Sequence, residues 1–160
     1  MSNTTLTDEE RRAAIVQQMR EQTGIDEAMI EQLVRGFYAR IRADDLLGPI
    51  FNSRIEDWEP HLQRMCAFWS SVVLSSGAYH GQPMRMHLPL PVDARHFDRW
   101  LDLFEQTARD LFSDHIAGYF VDRARRIATS LELGIATSQG VLLGRGERFI
   151  RPHLEGTGND

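Results

Sequence analysis

Apolar residues recur three and four positions apart along most of the chain, and no stretch alternates apolar and polar side chains as a half-buried strand does. The pattern predicts an all-α protein. Ile30, Leu33, Val34, Phe37 and Ile41 form one stripe, with Tyr38 on its flank, and predict a helix over 26–43. A helix over 57–75 places His61, Met65, Phe68 and Val72 on a shared face. Pro60 is tolerated there because it falls near the first turn. Phe97, Trp100, Leu101, Phe104, Ala108 and Leu111 predict a further helix, capped by Asp93. Ser113 caps the last long helix, which turns Ile116, Tyr119 or Phe120, Ile127 and Leu131 inward.

The segments between are less regular. Thr7 followed by Glu10 is a capping-box pattern, so a first helix starts there and stops at Gly24. Its apolar content is thin, which predicts an N-terminal extension over 1–25 rather than part of the core. Residues 46–51 contain Gly48-Pro49 and read as a turn that delivers Phe51 from a loop. Residues 77–91 read as loop, with at most a short helix over 84–88. After Gly140 the chain becomes Gly-rich and polar, so 141–160 is expected to be a flexible tail, leaving 26–140 as the core.

Composition narrows the function. With 160 residues, 42% hydrophobic and 26% charged, the chain suits one soluble domain with a sizeable core. Its 23 acids outweigh 18 bases, a net charge of −5, and no basic face is concentrated enough to predict a nucleic-acid partner. The single cysteine, Cys66, rules out an intrachain disulfide and any cysteine-based zinc or iron–sulfur site, and reads as an inert buried thiol. No apolar run approaches a membrane span and no signal peptide is legible, so a cytoplasmic location is expected. A glycine-rich phosphate loop, a nucleophile elbow and an HExxH motif are all missing.

Histidines carry the candidate chemistry. His87 follows Tyr79-x-Gly81-x-Pro83 and sits among Met84, Met86, Leu88 and Leu90, with prolines restricting the backbone. A neutral imidazole fixed in an apolar wall is what an axial haem ligand requires. A lone loop histidine is more often a surface residue, and its surroundings are what raise the metal reading here. His61 lies on an apolar helix face, where a core histidine bonded to a backbone carbonyl is the simpler reading. Tyr38 and Trp100 also fit core stripes. Buried together with His61, they would gather hydrogen-bond donors at one point, because buried Tyr and Trp need partners for their O–H and N–H.

Taken in order, the motifs are Phe37-Tyr38, Leu47-Gly48-Pro49-Ile50-Phe51, Trp58-x-x-His61, Phe68-Trp69, the His87 segment with Leu90, and His96-Phe97-x-x-Trp100-Leu101. This combination, over about 26–137, resembles the group III truncated haemoglobins, bacterial globins with a two-over-two helical sandwich around haem b. The resemblance implies that His87 is the proximal iron ligand. It also implies that Tyr38, His61 and Trp100 line the distal pocket, and that Met65 and Phe51 pack near the ring. Arg85 is the propionate partner suggested by position and charge, and a solvated surface arginine is an equal reading.

The resemblance implies binding of O₂, CO and NO at a five-coordinate ferrous iron. Several polar donors would favour tight retention, redox chemistry on NO or peroxide, or ligand sensing over transport. No flavin or nicotinamide motif is present, so an NO dioxygenase or peroxidase-like activity would need a separate reductase. The rival reading is a haem-free helical interaction module in which both histidines are ordinary residues.

Overall fold

The computed structural model describes residues 5–151 and places seven helices among them, with no strand. In chain order they are α1 (Asp8–Thr23), α2 (Glu27–Ala43), α3 (Gly48–Arg54), α4 (Trp58–Leu74), α5 (Pro83–His87), α6 (Ala94–Leu111) and α7 (Asp114–Ser138). The caps follow the sequence. Thr7 and Glu10 exchange hydrogen bonds as a full capping box, and Gly24 ends α1 in the left-handed conformation at φ 74°. Asp26 accepts from the Met29 amide, Asp93 from the Arg95 amide, and Ser113 from the Ile116 amide.

Four long helices make the frame. α2 packs on α4 and on α6, and α6 packs on α7, which yields the two-over-two arrangement. The core between them is aromatic. The Trp69 and Phe104 rings stack at 5.0 Å, Trp100 also stacks on Phe104 at 5.5 Å, and Phe37 meets Phe104 edge-on at 5.2 Å. Phe37, Phe104 and Phe120 are all essentially without solvent contact.

Two segments differ from the sequence expectation. Residues 46–51 do not form an open turn. Gly48-Pro49 instead begins α3, because proline's fixed φ suits a first helical turn as well as a bend. Glycine is needed at 48 for another reason: a Cβ there would lie 2.8 Å from the Arg42 carbonyl oxygen. Phe51 is therefore presented from a short helix.

The second difference is the segment after α7, which docks as far as Arg151. Phe149 is buried among Val92, Phe97, Ala128, Leu131 and Ile135, and its carbonyl accepts from the Ala94 amide at 2.7 Å. Arg148 forms ion pairs with Glu132 and Asp98 at 2.8 Å each. The polar composition after Gly140 hid one large apolar side chain and the arginines that anchor it. The rest of the expected tail, 152–160, lies outside the described residues, as do residues 1–4.

α1 has no buried residue, yet Val16 and Met19 rest on the core and the helix lies against α4. Arg12 donates to the Ser75 carbonyl at 2.8 Å, across the end of α4. α5 docks on α7: a Cβ at Gly134 would come within 2.1 Å of the Met84 sulfur, so the thioether occupies the notch that glycine leaves.

Candidate functional site

The helical frame brings side chains from three helices into one aromatic nest. Tyr38 comes from α2, Phe51 from α3, and Trp58 and His61 from α4. The Tyr38 and His61 rings meet edge to face, with centroids 5.2 Å apart and planes at 88°. Phe51 lies 6.1 Å from Tyr38, and Trp58 lies 5.9 Å from Tyr38 and 5.6 Å from His61. Trp100 is one ring removed: it meets Phe37 at 5.3 Å, and Phe37 meets Tyr38 at 5.0 Å. Met65 follows His61 by one turn of α4 and packs against the core.

The electrostatics of the nest are set by burial. Burial pushes the His61 pKa down to about 4, with the Arg64 charge acting in the same direction, so the ring is neutral at physiological pH. Burial also pushes the Tyr38 phenol well above its ordinary value, which keeps its proton in place. Among the described residues, His61 Nε2 is the buried side-chain polar atom left without a hydrogen-bond partner. A buried polar atom without a partner costs free energy in a native fold unless something else satisfies it.

His87 ends α5 and is half-buried. Its Nδ1 lies 2.6 Å from the Pro83 carbonyl oxygen. A carbonyl can only accept, so Nδ1 carries a proton, and in the neutral ring the free lone pair falls on Nε2. Pro83 occupies the first turn of α5, where its missing N–H is no loss, and Leu90 donates its amide to the His87 carbonyl at 3.1 Å. Arg85 is exposed on the same short helix.

The structure thus gathers Tyr38, His61 and Phe51 as ring neighbours and reaches Trp100 through Phe37. Sequence reasoning gave no role to Trp58, which contacts both Tyr38 and His61 and carries the Arg42 guanidinium 4.7 Å above its ring. The signal was available. Trp58 and His61 stand three residues apart on one helix and must share a face.

Comparison with known proteins agrees with this architecture. The profile of the bacterial-like globin family matches residues 18–121. The chain is 34% identical over 113 residues to the group 3 truncated hemoglobin ctb of Campylobacter jejuni, spanning 68% of this chain and 89% of that protein. The crystal structure of the group III truncated hemoglobin from Campylobacter jejuni matches with a TM-score of 0.64, again at 34% identity over 68% of this chain and 89% of the other. The truncated oxygen-avid haemoglobin from Bacillus subtilis matches at a TM-score of 0.61 and 25% identity, over 71% of this chain and 97% of the other. The chain belongs to the bacterial-like globin family, and its likeness within that family is to the group III truncated haemoglobins.

Family membership implies a haem cofactor and gas binding at it. The residues present fit such a group on two observations. His87, held at Nδ1 by the Pro83 carbonyl, offers Nε2 as a ligand atom in its neutral form, and the buried His61 Nε2 has no hydrogen-bond partner among the described residues. Among the described residues no helix is long and apolar enough to cross a membrane.

Proposed function

We propose that the protein holds haem b through His87 as the axial ligand and binds O₂, CO or NO in the space faced by Tyr38, His61 and Trp100. The observation that carries this reading is the unpartnered His61 Nε2 in an aromatic nest, together with a second imidazole whose Nδ1 is held by a backbone carbonyl. When bound, haem b would supply a ferrous iron able to take a diatomic ligand. The chain's own residues do the rest.

The Pro83 carbonyl fixes the ring orientation of His87 by accepting a hydrogen bond from its Nδ1. Phe51 and Met65 supply apolar contact for the macrocycle, and Arg85 supplies a cation for a propionate. Tyr38 keeps its phenolic proton and can donate it to a ligand that gains negative charge. His61, neutral, can donate or accept at Nε2. The rings of Trp58 and Phe51 exclude water, which strengthens each of these contacts.

Donors converging on one ligand favour retention or activation over release. The same site suits redox chemistry on NO or peroxide in the cytoplasm, with electrons from a separate reductase. The direct test is an absorption spectrum of the purified protein, reconstituted with hemin, in ferric, ferrous and CO-bound forms. A Soret band that shifts on reduction and again on CO addition is expected. A chain that takes up no haem overturns the proposal and leaves a helical interaction module.

A further inference from the structure

Glu132 is the most unusual residue outside the nest. It lies on the inner face of α7 beside Leu131, Ile135 and Ala136, and is 6% exposed. A carboxylate on an apolar face needs partners, because an unpaired buried charge is among the costliest features of a fold. Its partners come from the segment after α7. Arg148 Nε and Nη2 donate to it at 2.9 and 2.8 Å, and the Phe149 amide donates at 3.1 Å.

From this anchor the strand of backbone continues over the loop that joins α5 to α6. The Arg151 amide donates to the fully buried Asp93 carboxylate at 3.1 Å. Its guanidinium then spans the loop: Nε donates to the Val92 carbonyl at 3.0 Å and Nη2 to the Leu90 carbonyl at 3.1 Å. Leu90 is the residue whose amide donates to the His87 carbonyl. Arg151 and His87 are therefore linked through a single peptide-bearing residue. The whole strap lies beyond residues 18–121, the part matched by the family profile.

We propose that the strap 148–151 positions the His87 segment, with Arg151 holding the loop carbonyls and Glu132 anchoring the strap, so that it sets how firmly His87 holds its ligand group. Arg151 is a positioning residue: it acts through Leu90 on His87 and touches no ligand. The inference rests on the reading of His87 as the axial ligand. Releasing the guanidinium frees the 88–93 loop on one side, and the imidazole then samples orientations that bind less well. Retention falls and the iron–histidine bond becomes heterogeneous, with no side chain of the nest altered.

The test compares the parent holoprotein with Arg151→Leu, Arg151→Lys and Ile150→Ala, the last an exposed strap side chain. Three readouts are used: ferric haem transfer to excess apomyoglobin, the iron–histidine stretching band of the ferrous form by resonance Raman, and thermal unfolding. Arg151→Leu should lose haem about tenfold faster, equivalent to about 1.4 kcal/mol, and its band should shift or broaden. Arg151→Lys, with one charge but no fork to span two carbonyls, should fall between, and Ile150→Ala should match the parent.

A parent-like band and transfer rate in Arg151→Leu overturn the inference, and so does a lowered melting temperature with the band unmoved. His87→Gly is run in parallel. If it sheds haem while Arg151→Leu behaves as the parent, the strap inference fails alone. If His87→Gly keeps the parent's band, the axial assignment fails and the inference falls with it.

Discussion

The Tyr38 and His61 rings meet edge to face with centroids 5.2 Å apart, so a phenol and an imidazole from different helices are in direct contact. Neither is placed by the other alone. Tyr38 is held by Phe37 and Phe51, and His61 by Trp58.

Removing the Tyr38 hydroxyl while keeping its ring separates donation from packing. A hydrogen bond to a partly negative acceptor contributes about 1.5–3 kcal/mol. Tyr38→Phe should therefore speed O₂ dissociation by about ten- to a hundredfold, and CO, less polar when bound, should change much less. Trp100→Phe should act in the same direction. Stopped-flow O₂ displacement measures both, and unchanged rates in the pair would make these side chains packing alone.

His87→Gly deletes the proposed protein–iron bond and should leave a chain that retains haem poorly. Free imidazole should restore a ferrous-CO spectrum by filling the vacated space. His61→Leu should keep its haem. The opposite behaviour of the two variants would exchange the proximal and distal assignments.

The depressed pKa of His61 has a defined sign. Between about pH 6.5 and pH 4 the unfolded chain binds a proton that folded His61 refuses, so stability is lost as pH falls through that window. His61→Leu removes the linkage. Urea midpoints of the haem-free chain should fall less from pH 6.5 to pH 4 in His61→Leu than in the parent, and equal losses would show that the folded imidazole titrates normally.

Phe149→Ala empties a buried site in the smaller core cluster, a change that costs on the order of 3 kcal/mol in a large-to-small substitution. Thermal unfolding should show a clear drop. A melting temperature within a degree of the parent's would mean that the segment after α7 contributes little to the fold in solution.

Much of the architecture was legible because helices announce themselves twice, by apolar spacing and by caps. Thr7, Asp26, Asp93 and Ser113 all cap as side-chain acceptors, and the stripe on α6 buries Phe97, Phe104 and Ala108. Gly48-Pro49 was ambiguous because one dipeptide serves both a turn and a helix start. The docked segment was hidden for a different reason. Phe149 stands alone between charged and aliphatic neighbours with no period, and a strap held by arginine–carbonyl contacts leaves no spacing rule to read. The clue lay elsewhere, in Glu132 on the apolar stripe of α7, where a lone acid signals a partner from a distant segment. In the nest, His61, Tyr38 and Phe51 were legible as members of stripes and turns, whereas the contact that joins them depends on helix crossing, which spacing does not encode.

The aromatic core also reaches further than its packing role. Trp69, Phe104, Trp100, Phe37, Tyr38 and His61 touch in succession, each pair with centroids between 5.0 and 5.5 Å. In a close-packed interior a displaced ring has no free volume to absorb the shift. Substitution of Trp69, three ring contacts from Tyr38 by way of Phe104 and Phe37, is thus a route by which ligand behaviour can be retuned with Tyr38 and His61 left unchanged. Natural variation in this protein's gas chemistry can accumulate in its hydrophobic interior, out of sight of any survey confined to the residues around the ligand.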